Sequence, residues 1–265
     1  MESCYRHPHV ETGIRCTRCE RPICYACMVQ APVGYQCQDC VAGNRPPRVR
    51  SVGRTAATIT MTNAIIGVCV GIFILGSVLG MPGLGADNLG MIPGAIAVEH
   101  QWYRLLTAAF LHGGFLHIGF NMYALYYLGN GLEQYLGQRR FLGLYLLSAV
   151  GGNAASYYFS DINTWSVGAS GAIFGLMAAT WFIGNRLNVD TSQIVGLFVI
   201  NMLIGFASPG IDWHAHLGGA VVGAVAATGA TRRGGSSLWF ACLVAIVAVV
   251  VVRDAQVVAL FTQTN

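Results

Sequence analysis

The sequence predicts an all-α polytopic membrane protein preceded by a small metal-binding module. Three observations carry that expectation. Of 265 residues, 54% are hydrophobic and only 10% charged, whereas a soluble domain carries roughly 25% charged residues. From about residue 57 onward, apolar segments follow one another with short polar breaks. Seven of the nine cysteines fall between Cys4 and Cys40. The 34 glycines fit the class, because small residues let helices approach closely in lipid.

The N-terminal segment comes first. It holds four pairs, Cys4/His7, Cys16/Cys19, Cys24/Cys27 and Cys37/Cys40, each with two residues between the partners. That spacing aims two side chains at one tetrahedral Zn²⁺, so four pairs supply the ligands of two zinc ions. Forty residues build a poor core, and metal is expected to supply the folding free energy. Disulfides are the rival use of the thiols, but they need an oxidising compartment. The pattern CYRH, CTRC, CYAC, CQDC resembles a B-box-type zinc finger. That likeness implies that the first and third pairs share one ion and the second and fourth the other, although B-boxes usually end in histidines. Eight ligands close both sites, so docking of a cytosolic partner is expected, not catalysis. His9 is a spare.

Residues 41–57 read as a basic linker, with Pro46 and Pro47 opposing helix among four arginines. The first long apolar run starts near Thr58, too late for a signal peptide, so an uncleaved anchor is expected. Spans are placed near 58–79, 112–130, 140–159, 168–185, 193–208, 214–230 and 238–258. Some fall short of the roughly 20 residues a crossing needs, which local thinning of the bilayer accommodates. The stretch around 80–111, with Trp102, Tyr103 and Phe110, reads as an interfacial loop with short helices. The domains are therefore 1–40, the linker 41–57, a six-helix core over 58–230, and a seventh membrane helix with its tail over 231–265. Cys69 and Cys242 lie within apolar segments as small core or lipid-facing residues.

Every basic residue is arginine, and eight of the fifteen precede residue 55. No basic stripe with interleaved aromatics follows, so nucleic acid is not an expected partner. With seven spans and a cytoplasmic N-terminus, the arginines at 45, 48, 50, 54, 139, 140, 186, 232 and 233 all fall on one side. Only Arg104 and Arg253 fall outside. All-arginine usage with alanine and glycine richness points to a bacterial plasma membrane.

Polar residues within spans are costly and mark function. Span two opens HGGFLHIGFNMY, with His112 and with His117 and Asn121 four apart on one face. Span four carries Ser170 in GASGAIFG, and span six opens DWHAHLGGAVVG with His214 and His216. These three spans run in the same direction. At 1.5 Å per residue, Ser170, His216 and the His117/Asn121 pair share a depth roughly 5–15 Å below the outer boundary. Helix packing through Gly171 and Gly175 accounts for the glycines, but not for that shared depth. A hydroxyl becomes a nucleophile when a neutral histidine takes its proton. An asparagine amide, a histidine N–H and the serine's own N–H can then bind the oxyanion. Gly219 and Gly223 offer the matching small surface on span six, and Phe174 can stack on the imidazole. No carboxylate shares that depth, so a dyad is expected.

GASGAIFG, HAHLGG with GGAVVG, HGGFLHIGFN and the WYR at 102–104 together resemble the rhomboid intramembrane serine proteases. The likeness implies Ser170 as nucleophile, His216 as general base, and His117 and Asn121 lining the oxyanion site. It also implies structural roles for Arg104 and Glu133, and water reaching Ser170 from outside beneath a loop at 208–213. Many relatives carry tyrosine where this chain has Phe174. The expected activity is a serine endopeptidase cleaving single-span membrane proteins near the outer face of the lipid bilayer. Catalysis needs no metal. The alternative is a catalytically silent relative that binds or escorts membrane clients, a group that typically lacks the serine or histidine kept here. The intramembrane histidines are too few for a histidine-box iron enzyme, and no HExxH is present. His112 is expected as a structural hydrogen-bond partner, His214 has no assigned catalytic role, and Asp161 and Asp212 read as solvated loop acids.

Overall fold

The computed structural model describes residues 2–31, 34–43, 59–231 and 235–263. The linker residues 44–57, with their prolines and arginines, and Arg232 and Arg233 lie outside the described residues. The chain divides into two compact units, Met1–Thr58 and Ile59–Asn265.

The first unit is two small antiparallel ribbons and a helical turn. β1 (Glu2–Ser3) pairs with β2 (Glu11–Thr12), β3 (Met28–Gln30) pairs with β4 (Tyr35–Cys37), and α1 (Gln38–Gly43) follows. Its buried hydrophobic cluster is Ile23 with five of the cysteines. The core of this unit is therefore its own cysteines.

The second unit is a helical bundle. α2 (Met61–Ile72) is capped by Thr60 and continues as a π-helical turn, Phe73–Val78. Three short helices follow, α3 (Ala86–Leu89), α4 (Pro93–Glu99) and α5 (Arg104–Thr107), in the stretch read as an interfacial loop. Then come α6 (Phe115–Leu136), α7 (Gln138–Phe159), α8 (Ser170–Arg186), α9 (Ser192–Ala207), α10 (Trp213–Ala230) and α11 (Ser236–Gln263).

Among the described residues, Met61–Val78 and Ser236–Ala259 are each long and apolar enough to cross a bilayer. Arg104–Phe110 with Phe115–Leu136 qualifies as a pair bent by 93°, and Ser192–Ala207 is a shorter apolar helix. The central helices meet no such test, for a physical reason. α8 faces neighbours on most sides, so its sequence need not be apolar all round. α2 and α11 stand at the rim and must be.

Glycine brings the central helices together. A Cβ at Gly152 of α7 would lie 2.6 Å from the Ala215 carbonyl oxygen of α10. A Cβ at Gly175 of α8 would lie 2.8 Å from the Gly219 carbonyl oxygen, and Gly223 of α10 is packed against the backbone of Gly175. Only glycine permits backbone contact that close.

Polar ties fix the ends. The Glu133 carboxylate of α6, buried at 6% exposure, accepts from the Met61 and Thr62 N–H groups at 2.8 and 2.9 Å and from Thr62 Oγ1 at 2.7 Å. It thereby caps α2. Arg140 donates to the Ala230 carbonyl and Arg186 to Thr231 Oγ1, so both arginines lie with the start of α7 and the ends of α8 and α10. Buried Arg104 donates to the carbonyls of Gly90 and Asp87 and to Gln101, pinning the α3–α5 stretch. Cys69 and Cys242 are buried in the core cluster.

Candidate active site

Ser170 is the first residue of α8, and His216 stands in the first turn of α10. Both helices begin at the end of the bundle opposite Arg140 and Arg186. The glycine contacts draw α10 onto α8 until His216 Nε2 lies 2.8 Å from Ser170 Oγ. The Phe174 ring, one turn along α8, stacks on the imidazole with centroids 4.2 Å apart and planes 9° apart. Stacking and the α10 backbone hold this ring, because among the described residues the buried His216 Nδ1 has no hydrogen-bond partner and no carboxylate completes a triad.

His117 approaches from α6. Its Nδ1 faces the Gly113 N–H at 3.4 Å, which leaves Nε2 as the proton-bearing nitrogen. Gly168, at φ +137°, makes room for it: a Cβ there would meet His117 Nε2 at 2.8 Å and lie 3.6 Å from Ser170 Oγ. Asn121 is buried on the same α6 face, and its Nδ2 donates to the His117 carbonyl at 2.8 Å. The four predicted site residues thus line one cleft of about 1670 Å³, bounded by α6, α8, α9 and α10.

Other polar residues land differently from expectation. His112 precedes α6 because Gly113 and Gly114 delay the helix to Phe115. It is 4% exposed, and it packs edge-on against His117. Asp212 is not a free loop acid: Oδ1 accepts from the Ala215 N–H at 3.1 Å, capping α10, and Oδ2 accepts from Ser156. Asp161 is exposed as expected. His214 stacks on Phe159, away from Ser170.

The cysteines of the first unit gather into two clusters. One holds Cys4, His7, Cys24 and Cys27, the other Cys16, Cys19, Cys37 and Cys40, with ligand atoms within 4.8 Å of one another in each. The first and third pairs therefore meet, as do the second and fourth. His7 Nδ1 lies 3.3 Å from the sulfurs of Cys24 and Cys27, and Cys19 Sγ lies 3.7 Å from Cys37 Sγ. A tetrahedron with Zn–S bonds of about 2.3 Å has edges of about 3.8 Å, so these spacings fit a metal ion. Burial opposes ionisation of Cys4, yet the N–H groups of Arg6, Cys24 and His7 outweigh it and hold its pKa down to about 6. Cys40 is pushed up to about 12 by hydrogen bonds with Cys37 and Cys19 and by burial. Arg21, unnoticed in the sequence, donates from Nε to Cys19 Sγ at 3.3 Å and so places a positive charge beside the all-cysteine cluster. His9 is exposed and belongs to neither cluster.

Comparison with known proteins assigns the family. Residues 99–233 match the family described as Rhomboid domain. The chain is 38% identical over 147 residues to the rhomboid protease GluP of Bacillus subtilis, covering 53% of this chain and 29% of that protein. It is 36% identical over 144 residues to RHOMBOID-like protein 5 of Arabidopsis thaliana, covering 51% and 46%. Against the rhomboid protease AarA of Providencia stuartii the identity is 26% over 204 residues, covering 66% and 72%. The chain thus spans less than half the length of the first two. Every described feature of the site, from the helix that begins at Ser170 to the histidine facing it from α10, lies inside the matched segment, and the chain belongs to the rhomboid family of integral membrane proteins.

Proposed function

We propose that the chain is a serine endopeptidase that cleaves single-span membrane proteins through a Ser170–His216 dyad. The 2.8 Å contact between Ser170 Oγ and His216 Nε2 carries this reading. His216 Nε2 takes the hydroxyl proton while Oγ attacks the scissile carbonyl, then returns that proton to the leaving amine. Water attacks the resulting ester by the same route in reverse. Three groups lining the cleft are the candidate donors to the oxyanion: His117 Nε2–H, the remaining Asn121 amide hydrogen, and the N–H of Ser170. As the first residue of α8, Ser170 has no intrahelical acceptor for its N–H and sits at the positive end of the helix.

The dyad lies at the end away from Arg140 and Arg186. The positive-inside rule makes that the outer face, with the N-terminus cytoplasmic, in a bacterial plasma membrane. The two N-terminal clusters hold Zn²⁺, which supplies folding free energy to a module that docks a cytosolic partner. A silent, client-binding role is disfavoured by the intact serine and histidine.

The test is cleavage of a single-span reporter in proteoliposomes. Wild type is expected to cut it. Ser170→Ala is expected to lose at least ~10⁴-fold in rate, and His216→Ala nearly as much. Cleavage surviving Ser170→Ala would rule the reading out.

A further inference from the structure

His216 has a weakness as a general base. Among the described residues its Nδ1 has no partner, so no third side chain orients the ring as an aspartate does in a triad. Its position depends on the first turn of α10, and that turn is held by Asp212. Asp212 is the N-cap of α10: its Oδ1 accepts from Ala215 N–H, and its own carbonyl accepts from the His216 N–H at 3.3 Å.

Asp212 is itself held from below. Its Oδ2 accepts from the Ser156 hydroxyl of α7. Ser156 is fully buried, and its Oγ lies 3.3 Å from that of Ser160 at the α7 C-terminus. The Ser160 carbonyl accepts from Arg253 Nη2 of α11 at 3.0 Å. One turn back on α7, the buried Tyr157 hydroxyl donates to Asp254, the next residue of α11. A continuous set of polar contacts therefore runs from α11, beyond the matched family segment, to the cap of the helix that carries the base.

We infer that Asp212, clamped by Ser156 and braced from α11 through Ser160 and Arg253, is a positioning residue for His216 in the proposed dyad. Asp212 makes no hydrogen bond to Ser170 or to the His216 ring; its hold on the base is through the backbone of the first α10 turn, and Asp212→Asn keeps that cap while removing the carboxylate charge. Helix α11 then serves more than anchorage: it steadies the wall against which the base is set. The positioning role of Asp212 presupposes the proposed dyad, and the experiment separates the two.

The measurement is the rate of covalent labelling of the full chain by a fluorophosphonate probe in proteoliposomes, with reporter cleavage resolved into kcat and KM. Thermal unfolding establishes that each variant is folded at the assay temperature. Asp212→Ala is expected to slow labelling about tenfold and to lower kcat with KM unchanged. Asp212→Asn, which keeps a capping oxygen, is expected to recover to within about threefold of wild type. Ser156→Ala, with the cap intact but unclamped, is expected to lose about threefold, and Arg253→Ala about twofold. A wild-type labelling rate in Asp212→Ala overturns the inference, as does a loss that Asp212→Asn fails to recover. If Asp212→Ala does not fold, a wild-type rate in Ser156→Ala overturns it. A wild-type rate in Arg253→Ala overturns the link to α11. Persistent labelling in Ser170→Ala instead defeats the dyad beneath it.

Discussion

The two units of this chain use polar residues in opposite ways. In the N-terminal unit the candidate ligands are the core: remove the cysteines from its buried cluster and only Ile23 remains. In the bundle the core is apolar and small-residue packing, and Ser170, His216, His117 and Asn121 are laid upon it. The first arrangement makes function and folding inseparable, whereas the second lets chemistry be deleted while the scaffold stands. A metal site can hold forty residues together. A dyad holds nothing together and must be held.

The largest expected effect breaks the first unit alone. Cys24→Ser removes one ligand from the Cys4/His7/Cys24/Cys27 cluster, and a structural site of this kind contributes about 10 kcal/mol of metal-binding free energy at neutral pH. The unit is expected to become protease-sensitive and to bind less zinc by elemental analysis. Reporter cleavage by the bundle should stay within about twofold. A parallel collapse of cleavage in a correctly inserted variant would show that the units are not separable.

A smaller effect breaks the bundle by packing alone. Gly223→Val pushes a branched side chain into the Gly175 backbone, which α10 can avoid only by leaving α8. The expected cost is about 3 kcal/mol in unfolding, with loss of fluorophosphonate labelling, since Ser170 and His216 separate. Unchanged labelling would mean that helix contact at this crossing does not set the dyad distance.

The smallest effect sharpens the distinction between holding and reacting. Phe174→Leu keeps apolar volume but loses the ring stacked 4.2 Å from the His216 centroid. Aromatic stacking is worth about 1 kcal/mol, so kcat should fall about fivefold with little change in thermal stability. A rate equal to wild type would assign the orientation of His216 to the α10 backbone alone.

What could be read beforehand follows from the same contrast. The metal pairs were legible because the two members of each lie three positions apart, and knuckle geometry is local. Ser170, His216, His117 and Asn121 were legible because each interrupts an apolar segment, and the direction of the spans puts them at one depth. The role of Asp212 was hidden: its partner Ser156 is 56 positions away and reads like any small residue in an alanine- and glycine-rich helix. The placement of His112 was not legible, because composition cannot show that Gly113 and Gly114 delay α6 to Phe115 and set that ring against His117. The bracing by Arg253 and Asp254 was hidden too, since charges near the end of a last span look like an ordinary border with water.

The core claim is that one alcohol, activated across a helix–helix contact by one imidazole, does the chemistry. Mass mapping of the fluorophosphonate adduct, after proteolysis of the labelled full-length chain, tests it most directly. The expected outcome is a single phosphonylated peptide modified on Ser170, absent from Ser170→Ala and forming far more slowly in His216→Ala. An adduct on another residue, or equally fast modification of Ser170 without the histidine, would contradict it.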